Sequence, residues 1–390
     1  MLKLRPYQQE ASNKAVEAIN SSYNGLIVLP TGAGKSWVIA DIANRIEQPV
    51  LVFCPSKEIL QQNYEKMEIV SPRSSTMYSA SVGRKDISKI TFATIGSVNN
   101  QPQDFDHFRI VIVDEAHGIN SSGGMYERFI HRIPGRVIIG LTATPFRLGR
   151  AFDGYSMLKF LTRTRPRIFS NLLYCVQVSD LVHQGYLSEL KYYDLTSIDL
   201  SRVRSNSTGA DYNDESLKAE YARTGFFDRL TTTVWRVIHP KSGIPRKGVL
   251  VFTKFIEEAD ALVAKLNQLG AKAALVTGNT PKQEREEILE RFKKGEIRVV
   301  ANVNCLAVGF DYPELDTVVI ARPTKSLVFW YQAVGRCIRP YKGKNGWVID
   351  LCGSYRRFGK VEDLKIDVEK PNSQRYCVKS NGVQLTNVPF

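Results

Sequence analysis

Residues 26–36 read Leu-Ile-Val-Leu-Pro-Thr-Gly-Ala-Gly-Lys-Ser. The run Leu26–Leu29 is apolar without interruption, as a strand buried on both faces requires. Beyond it, Gly32 and Gly34 let the backbone curl until successive N–H groups converge on one spot, a concavity suited to phosphate oxygens. Pro30, Thr31 and Ala33 complete the loop. Lys35 brings a point charge for the outer phosphates, and the Ser36 hydroxyl an oxygen for Mg²⁺. A helix over Trp37–Ile46 then aims its positive end at the same place. Leu29 stands where the generic pattern has its first glycine. Strand, phosphate loop and helix together imply a parallel α/β nucleotide-binding domain.

A second apolar run, Ile110–Val113, ends in Asp114-Glu115-Ala116-His117. A carboxylate at the carboxyl end of a buried parallel strand faces the crevice where ligands bind in open α/β sheets. Asp114 is suited to hold Mg²⁺ and Glu115 to deprotonate an attacking water. An acidic pair at a strand end also serves as a helix cap; beside a phosphate loop, chemistry is the better reading. Two further clusters follow. Leu141-Thr142-Ala143-Thr144-Pro145 succeeds the strand Val137–Gly140, and Gln332-Ala333-Val334-Gly335-Arg336-Cys337-Ile338-Arg339 lies far along the chain. Arginines three apart share one helix face. Guanidinium groups arriving from a distant segment suit the charge that develops in phosphoryl transfer.

Taken in order, RPYQQEA (5–11), PTGAGKS (30–36), PSKEIL (55–60), VDEAH (113–117), LTATP (141–145), VGFDYP (308–313) and QAVGRCIR (332–339) resemble the motif series of superfamily-two helicases of the DEAH type. HQGYL (183–187), VTGNTPKQER (276–285) and ARPT (321–324) are similar to the bacterial RadD-type DNA-repair ATPases, and phage branched-DNA helicases share much of the pattern. The resemblance covers roughly residues 1–355. It implies two tandem RecA-like lobes with parallel sheets and an ATP cleft between them. Lobe one is expected over 1–187, a connecting strand and helical or loop insertion over 188–243, lobe two over 244–355, and a tail of unassigned role over 356–390.

The resemblance also assigns roles. Lys35, Asp114, Glu115, Gln332, Arg336 and Arg339 carry hydrolysis, with Mg²⁺ on Ser36 and Asp114. Arg5 and Gln8 read the adenine, and Gly309 and Asp311 sense ribose and phosphates from lobe two. His117, Thr142 and Thr144 couple the lobes. Nucleic acid crosses Pro55, Ser56, Lys57, Thr94 and Ser97 on one lobe and Thr253, Lys254, Thr277 and Gly278 on the other. The basic, aromatic-rich stretch Phe146–Ser170 contributes Arg147, Arg163, Arg165 and Arg167 as backbone contacts; its plainer reading is a solvated arm whose aromatics pack into lobe one. The implied activity is an ATP-dependent, Mg²⁺-requiring motor acting as a monomer on single-stranded, forked or branched DNA. An RNA helicase and an ATP-gated clamp that does not unwind stand as alternatives.

Composition agrees. A net charge of +14 favours a polyanionic partner. The six cysteines, at 54, 175, 305, 337, 352 and 377, form no C-x-x-C pair, which argues against a zinc site or a disulfide framework. RadD-type proteins usually carry a cysteine-rich zinc tail, whereas residues 356–390 hold Cys377 alone. No apolar run approaches the length of a membrane span and the first residues lack a signal-peptide core, so a cytoplasmic protein is expected. Asp199–Tyr221, rich in Ser, Asn, Asp and Gly, reads as a loop or small insertion of low order, and Gly185–Leu190 as the hinge.

Overall fold

A computed structural model describes residues 3–71, 75–120, 123–150, 156–241, 243, 245–303, 305–306, 311–373 and 375–388. The first half runs α1 (Pro6–Asn20), β1 (Gly25–Val28), α2 (Lys35–Arg45), β2 (Val50–Phe53), α3 (Lys57–Val70), β3 (Ser75–Ser79), β4 (Arg84–Lys85), β5 (Ile90–Ala93), α4 (Ile95–Val98), β6 (Ile110–Asp114), α5 (Met125–Arg132), β7 (Val137–Thr142), β8 (Phe146–Arg150), β9 (Ser156–Phe160), β10 (Asn171–Cys175) and α6 (Val178–His183). The second half runs β11 (Leu190–Asp194), α7 (Asp214–Thr224), α8 (Phe226–Ile238), β12 (Val249–Thr253), α9 (Ile256–Gln268), β13 (Ala273–Val276), α10 (Lys282–Lys293), β14 (Val299–Asn302), β15 (Thr317–Ala321), α11 (Leu327–Val334), β16 (Gly346–Asp350), α12 (Ser354–Phe358), β17 (Leu364–Val368), β18 (Tyr376–Ser380) and β19 (Val383–Gln384).

These elements build two α/β lobes, each on its own parallel sheet. The first sheet has the order β10-β1-β7-β6-β2-β5-β3-β4, parallel except for the β3–β4 pair. The second has the order β11-β16-β15-β12-β14-β13 and is parallel throughout. Central strands β1, β2, β5, β6 and β7 are buried along their whole length, so both of their faces must be apolar. That is why their apolar runs were legible in the sequence. The order also positions chemistry. β7 lies between β1 and β6, so the turns after these three strands open side by side on one sheet edge.

Three segments differ from the sequence-based expectation. Leu190–Asp194, expected as a connecting strand outside the lobes, pairs with β16 as an edge strand of the second sheet. Its alternating, half-exposed burial leaves no apolar run to read. Asp199–Tyr221, expected to be poorly ordered, contains most of α7. Its polar residues make caps and turns: Asn213 Oδ1 accepts from Ser216 N at 3.0 Å, and Asp199 Oδ1 from Ser201 N at 3.0 Å. The 356–390 tail forms a three-stranded antiparallel sheet, β17-β18-β19, that docks back on the first lobe. The Gln177 amide pairs with both backbone groups of Ile366, donating at 3.0 Å and accepting at 3.2 Å. Asn387 Oδ1 accepts from Phe160 N at 3.0 Å, and Glu369 pairs with Arg163. Among the described residues no helix is long and apolar enough to cross a membrane.

Gly140 sits in β7 two residues before Thr142. A Cβ there would lie 2.6 Å from Phe169 Cζ and 2.8 Å from Ala116 Cβ. Overpacking of this kind costs ~1–3 kcal/mol. Gly140→Val is expected to lower the urea midpoint accordingly, with an unchanged slope; a midpoint equal to wild type would show that Phe169 yields freely.

Candidate active site in the cleft between the lobes

The loop after β1 bends as its glycines require. Gly32 and Gly34 have φ of 83° and 81°, in the left-handed region that favours glycine. Contacts reinforce the choice. A Cβ on Gly34 would lie 2.5 Å from Gln8 Nε2, and one on Gly32 would lie 3.1 Å from Arg339 Cγ. Tyr7 Oη and Gln8 Nε2 both donate to the Ala33 carbonyl, at 2.9 and 2.8 Å, so α1 pins the loop from behind. Gln8 Oε1 accepts from Arg5 N at 2.9 Å. The Arg5 guanidinium lies 4.7 Å over the Tyr186 ring, just before the connection to the second lobe.

Asp114 and Glu115 stand beside this loop, at the end of β6. Asp114 Oδ1 accepts from Glu115 N at 2.9 Å and Oδ2 from Asn63 Nδ2 at 2.8 Å. Glu115 has φ of 50°, strained for a residue with a side chain. Lys35 Nζ is 3.4 Å from Glu115 Oε1, and His117 Nδ1 is 3.3 Å from Oε2. The second contact is an ion-pair distance without hydrogen-bond geometry, since Oε2 has no hydrogen-bond partner. Burial pushes the Asp114 pKa up, with the Glu115 charge adding to it. Burial pushes Glu115 up as well, but Lys35 and His117 outweigh it and hold Glu115 well below the usual carboxylate range. Glu115 therefore rests ionised, the state a general base needs.

His117 ties this cluster to its neighbours. Its Nδ1 lies 2.9 Å from Thr142 Oγ1 and 3.1 Å from Thr144 Oγ1, both on fully buried residues. Its Nε2 lies 3.3 Å from Gln332 Nε2, on α11 of the second lobe. The direction of this contact follows the tautomer of the ring and the orientation of the amide. The α11 segment comes in close. A Cβ on Gly335 would lie 2.9 Å from Thr31 Cβ, which accounts for the glycine of the Q-x-x-G-R-x-x-R string. Arg336 is buried and its Nε donates to Gln332 O at 3.3 Å. Arg339 pairs with Asp311. Burial lowers both arginine pKa values to about 10, so both remain cationic at neutral pH. One cleft is lined by Lys35, Ser36, Asp114 and Glu115 from lobe one and by Asp311, Gln332, Arg336 and Arg339 from lobe two. Gly309 lies outside the described residues.

The donor set suits a small divalent cation. Ser36 and Asp114 offer hard oxygens to the same cleft. No group of three or more His, Cys, Asp or Glu that could hold a metal occurs among the described residues. A cation here would take its remaining ligands from phosphates and water, as Mg²⁺ does.

The residues expected to meet nucleic acid sit at carboxyl ends of strands, and most are engaged. Ser56, after Pro55, caps α3 by accepting from Ile59 N at 3.4 Å. Thr94 and Ser97 share a hydroxyl contact of 2.9 Å. Thr253 is fully buried and donates to Asn302 O at 3.3 Å. Lys254 is held by Asp211 at 3.1 Å and Asp214 at 3.3 Å. Thr277 Oγ1 accepts from Asn279 N at 3.2 Å, and a Cβ on Gly278 would meet open space. Lys57 stands beside Lys282 of the second lobe, and that neighbour lowers its pKa. In the basic arm, Phe146, Phe160 and Phe169 are core residues, whereas Phe152 and Tyr155 lie outside the described residues. Arg147 donates to the Ile119 carbonyl, Arg163 pairs with Glu369, and Arg165 Nη1 donates to Thr164 O at 3.1 Å. Arg165 and Arg167 are exposed.

Asn63 is a site residue that the motif reading missed. Its signal was available: with Ile59, Leu60 and Met67 it completes the buried face of α3, where it is the polar exception.

Comparison with known proteins places these features in a family setting. Residues 1–147 match the model described as "Type III restriction enzyme, res subunit", and residues 234–341 match "Helicase conserved C-terminal domain". A "51.5 kDa protein" of a Lactococcus phage is 26% identical over 86% of this chain and 67% of its own length. The "DNA 3'-5' translocase XPB2" of Sulfurisphaera tokodaii is 25% identical over 90% of this chain and 81% of its own. For the "DNA 3'-5' helicase XPB" of Kineococcus radiotolerans the figures are 24%, 88% and 58%, so the chain spans well under two thirds of that relative. Among solved structures, the DNA-bound ATP-dependent Type ISP restriction-modification enzyme LlaBIII superposes with a TM-score of 0.67 at 20% identity, over 90% of this chain and 28% of that one. Dbp5 of S. cerevisiae, bound to RNA and ADP BeF3, gives 0.61 at 18% identity, over 90% and 83%. At such identities the structural likeness speaks for the two-lobed RecA-like fold.

Glu115→Gln keeps size and polarity and removes the base. Turnover of ATP in the presence of nucleic acid is expected to fall by roughly two to four orders of magnitude, with nucleotide affinity retained. A Gln variant turning over at the wild-type rate would remove Glu115 from the role of base.

Proposed function

We propose that this chain, which belongs to the superfamily-two helicases, is an ATP-driven motor that moves on or remodels DNA. The observation that carries the reading is the meeting of Gln332 with His117, a lobe-two amide 3.3 Å from the histidine that faces the base of lobe one. Arg336 and Arg339 line the same cleft. Hydrolysis therefore depends on how the two lobes sit against each other.

The steps follow from the residues. The loop over 30–36 cradles the phosphates with its N–H groups, and Lys35 turns from Glu115 to the outer phosphates. Mg²⁺, held by Ser36 and Asp114, supplies charge neutralisation when bound. Glu115, ionised at rest, orients water and takes its proton. Arg336 and Arg339 stabilise charge on the transferring phosphoryl group, with Arg339 exchanging Asp311 for phosphate. Gln332 and His117 report the outcome to Thr142 and Thr144. Adenine lies against Arg5 and Gln8.

For the polymer, the support is the net charge of +14 and the printed activities of the XPB relatives, which are DNA translocases or helicases. The contacts proposed at strand ends reach phosphates and sugars, so little sequence preference follows. Single-stranded, forked or branched DNA is the form that the reading takes as partner, with the RadD-like motifs in its support. Single-stranded, duplex, forked and Holliday-junction DNA and RNA, offered in parallel, test this. Forked or single-stranded DNA is expected to stimulate ATPase, and stimulation by RNA alone would overturn the reading.

Arg336→Ala is expected to leave nucleotide affinity within a few fold while lowering turnover about a thousandfold or more, the worth of an arginine finger. Equilibrium binding of a fluorescent nucleotide set beside single-turnover hydrolysis separates the two. Lost binding without a slower chemical step would contradict the role.

A further inference from the structure

The buried face of α3 contains one residue that an apolar core does not need. Ile59, Leu60 and Met67 bury alkyl groups, but Asn63, at the same helical spacing and with no exposed surface, buries a carboxamide. A buried amide is costly unless its hydrogen bonds are made. Asn63 Nδ2 donates to Asp114 Oδ2 at 2.8 Å, and to Cys54 Sγ at a longer 3.4 Å. Its Oδ1, also buried, has no partner. Half of the amide's capacity is thus forgone to aim the other half at one carboxylate.

That carboxylate is held at both ends. Oδ1 of Asp114 takes the Glu115 N–H at 2.9 Å while Oδ2 takes Asn63, so the plane of the group is fixed. Each oxygen still has a lone pair for the cleft. The identity of the donor matters. A lysine or arginine here would cancel the charge that attracts a cation, whereas a neutral amide fixes the carboxylate and leaves that charge intact. The residue acts from α3, which follows β2, the next strand after the phosphate loop and α2, and none of the quoted motifs includes it.

We propose that Asn63 is a positioning residue for the divalent cation, orienting Asp114 for the nucleotide-bound metal. This rests on the reading of Asp114 as a cation ligand. The test uses the full chain with Asn63→Leu, which keeps the branched shape without the amide, and Asn63→Ser, which keeps a smaller polar group in case the first folds poorly. Mn²⁺ binding in the presence of ADP is followed by electron paramagnetic resonance, and ADP binding without metal by calorimetry. Loss of an outer-shell partner weakens metal binding about 10–100-fold, and that drop is expected with metal-free ADP affinity unchanged. ATPase is expected to recover as Mg²⁺ is raised. A folded Leu or Ser variant with Mn²⁺ affinity within twofold of wild type would overturn the proposal. The same measurement on Asp114→Asn separates the two readings. If Asp114→Asn leaves Mn²⁺ binding intact, the ligand assignment fails. If Asp114→Asn abolishes the further effect of Asn63→Leu, the amide acts through Asp114; an undiminished effect in that background would refute that route.

Discussion

Two carboxylates stand on consecutive residues, Asp114 buried and Glu115 largely withdrawn from water at the cleft, and Lys35 is the cation that makes this tolerable. Its ammonium lies 3.4 Å from Glu115 Oε1, with both side chains largely withdrawn from solvent. Burying a pair of this kind gains little stability, because desolvation offsets attraction, but removing one member leaves an uncompensated charge. The pair is therefore better understood as a reserve. On the proposed reading, a triphosphate would offer Lys35 a stronger anion, and Glu115 would then lose its main counter-charge and become more basic. The same substrate that needs the base would thus raise its strength. The strained φ of Glu115 and the short turn to His117 hold the carboxylate where the exchange can occur.

Much of this was legible in the chain, for identifiable reasons. Strands buried on both faces must be apolar almost throughout, so β1, β6 and β7 declared themselves to within two residues of their ends. The glycines at 32 and 34 were readable because no other residue takes their backbone at so close an approach. What escaped is equally physical. β11 and β10 are half-exposed strands with no uniform apolar run. The β17–β19 sheet and the residues after it depend on partners 189 and 227 residues earlier, which no local pattern encodes. The pairing of Arg339 with Asp311 joins two residues that the motifs assign separately to the nucleotide. Asn63 was visible as a pattern fault on an apolar helix face, but its meaning needs the position of Asp114.

The face formed by the strand ends carries a different electrostatic logic from the cleft. Lys57 and Lys282 approach each other across the lobes, with the Glu286 carboxylate 3.5 Å from Lys282 beside them. Lys254 is instead already satisfied, by Asp211 and Asp214 from the segment before α8. A phosphate reaching Lys254 has to displace a carboxylate that is tethered to the same chain. Attraction at one point of this face and competition at another make the occupied state depend on geometry as well as on charge.

The C-terminal sheet gives the molecule a second crossing between its halves. The chain passes from the first lobe to the second through Gly185–Leu190, and after α12 it returns to lie against α6 and the β8–β9 hairpin. A body joined to another at one point can swivel freely, but one joined at two points can only swing about the line through them. Gln177 and Asn387 hold the returning chain to lobe one, so this second tether limits the ways in which the lobes could part, in addition to the contacts that cross the cleft. Lobe one and the turn beyond α11 that carries Arg336 and Arg339, where the sequence implied one helix face, are thus joined by chain at two places, however far apart they fall in the sequence.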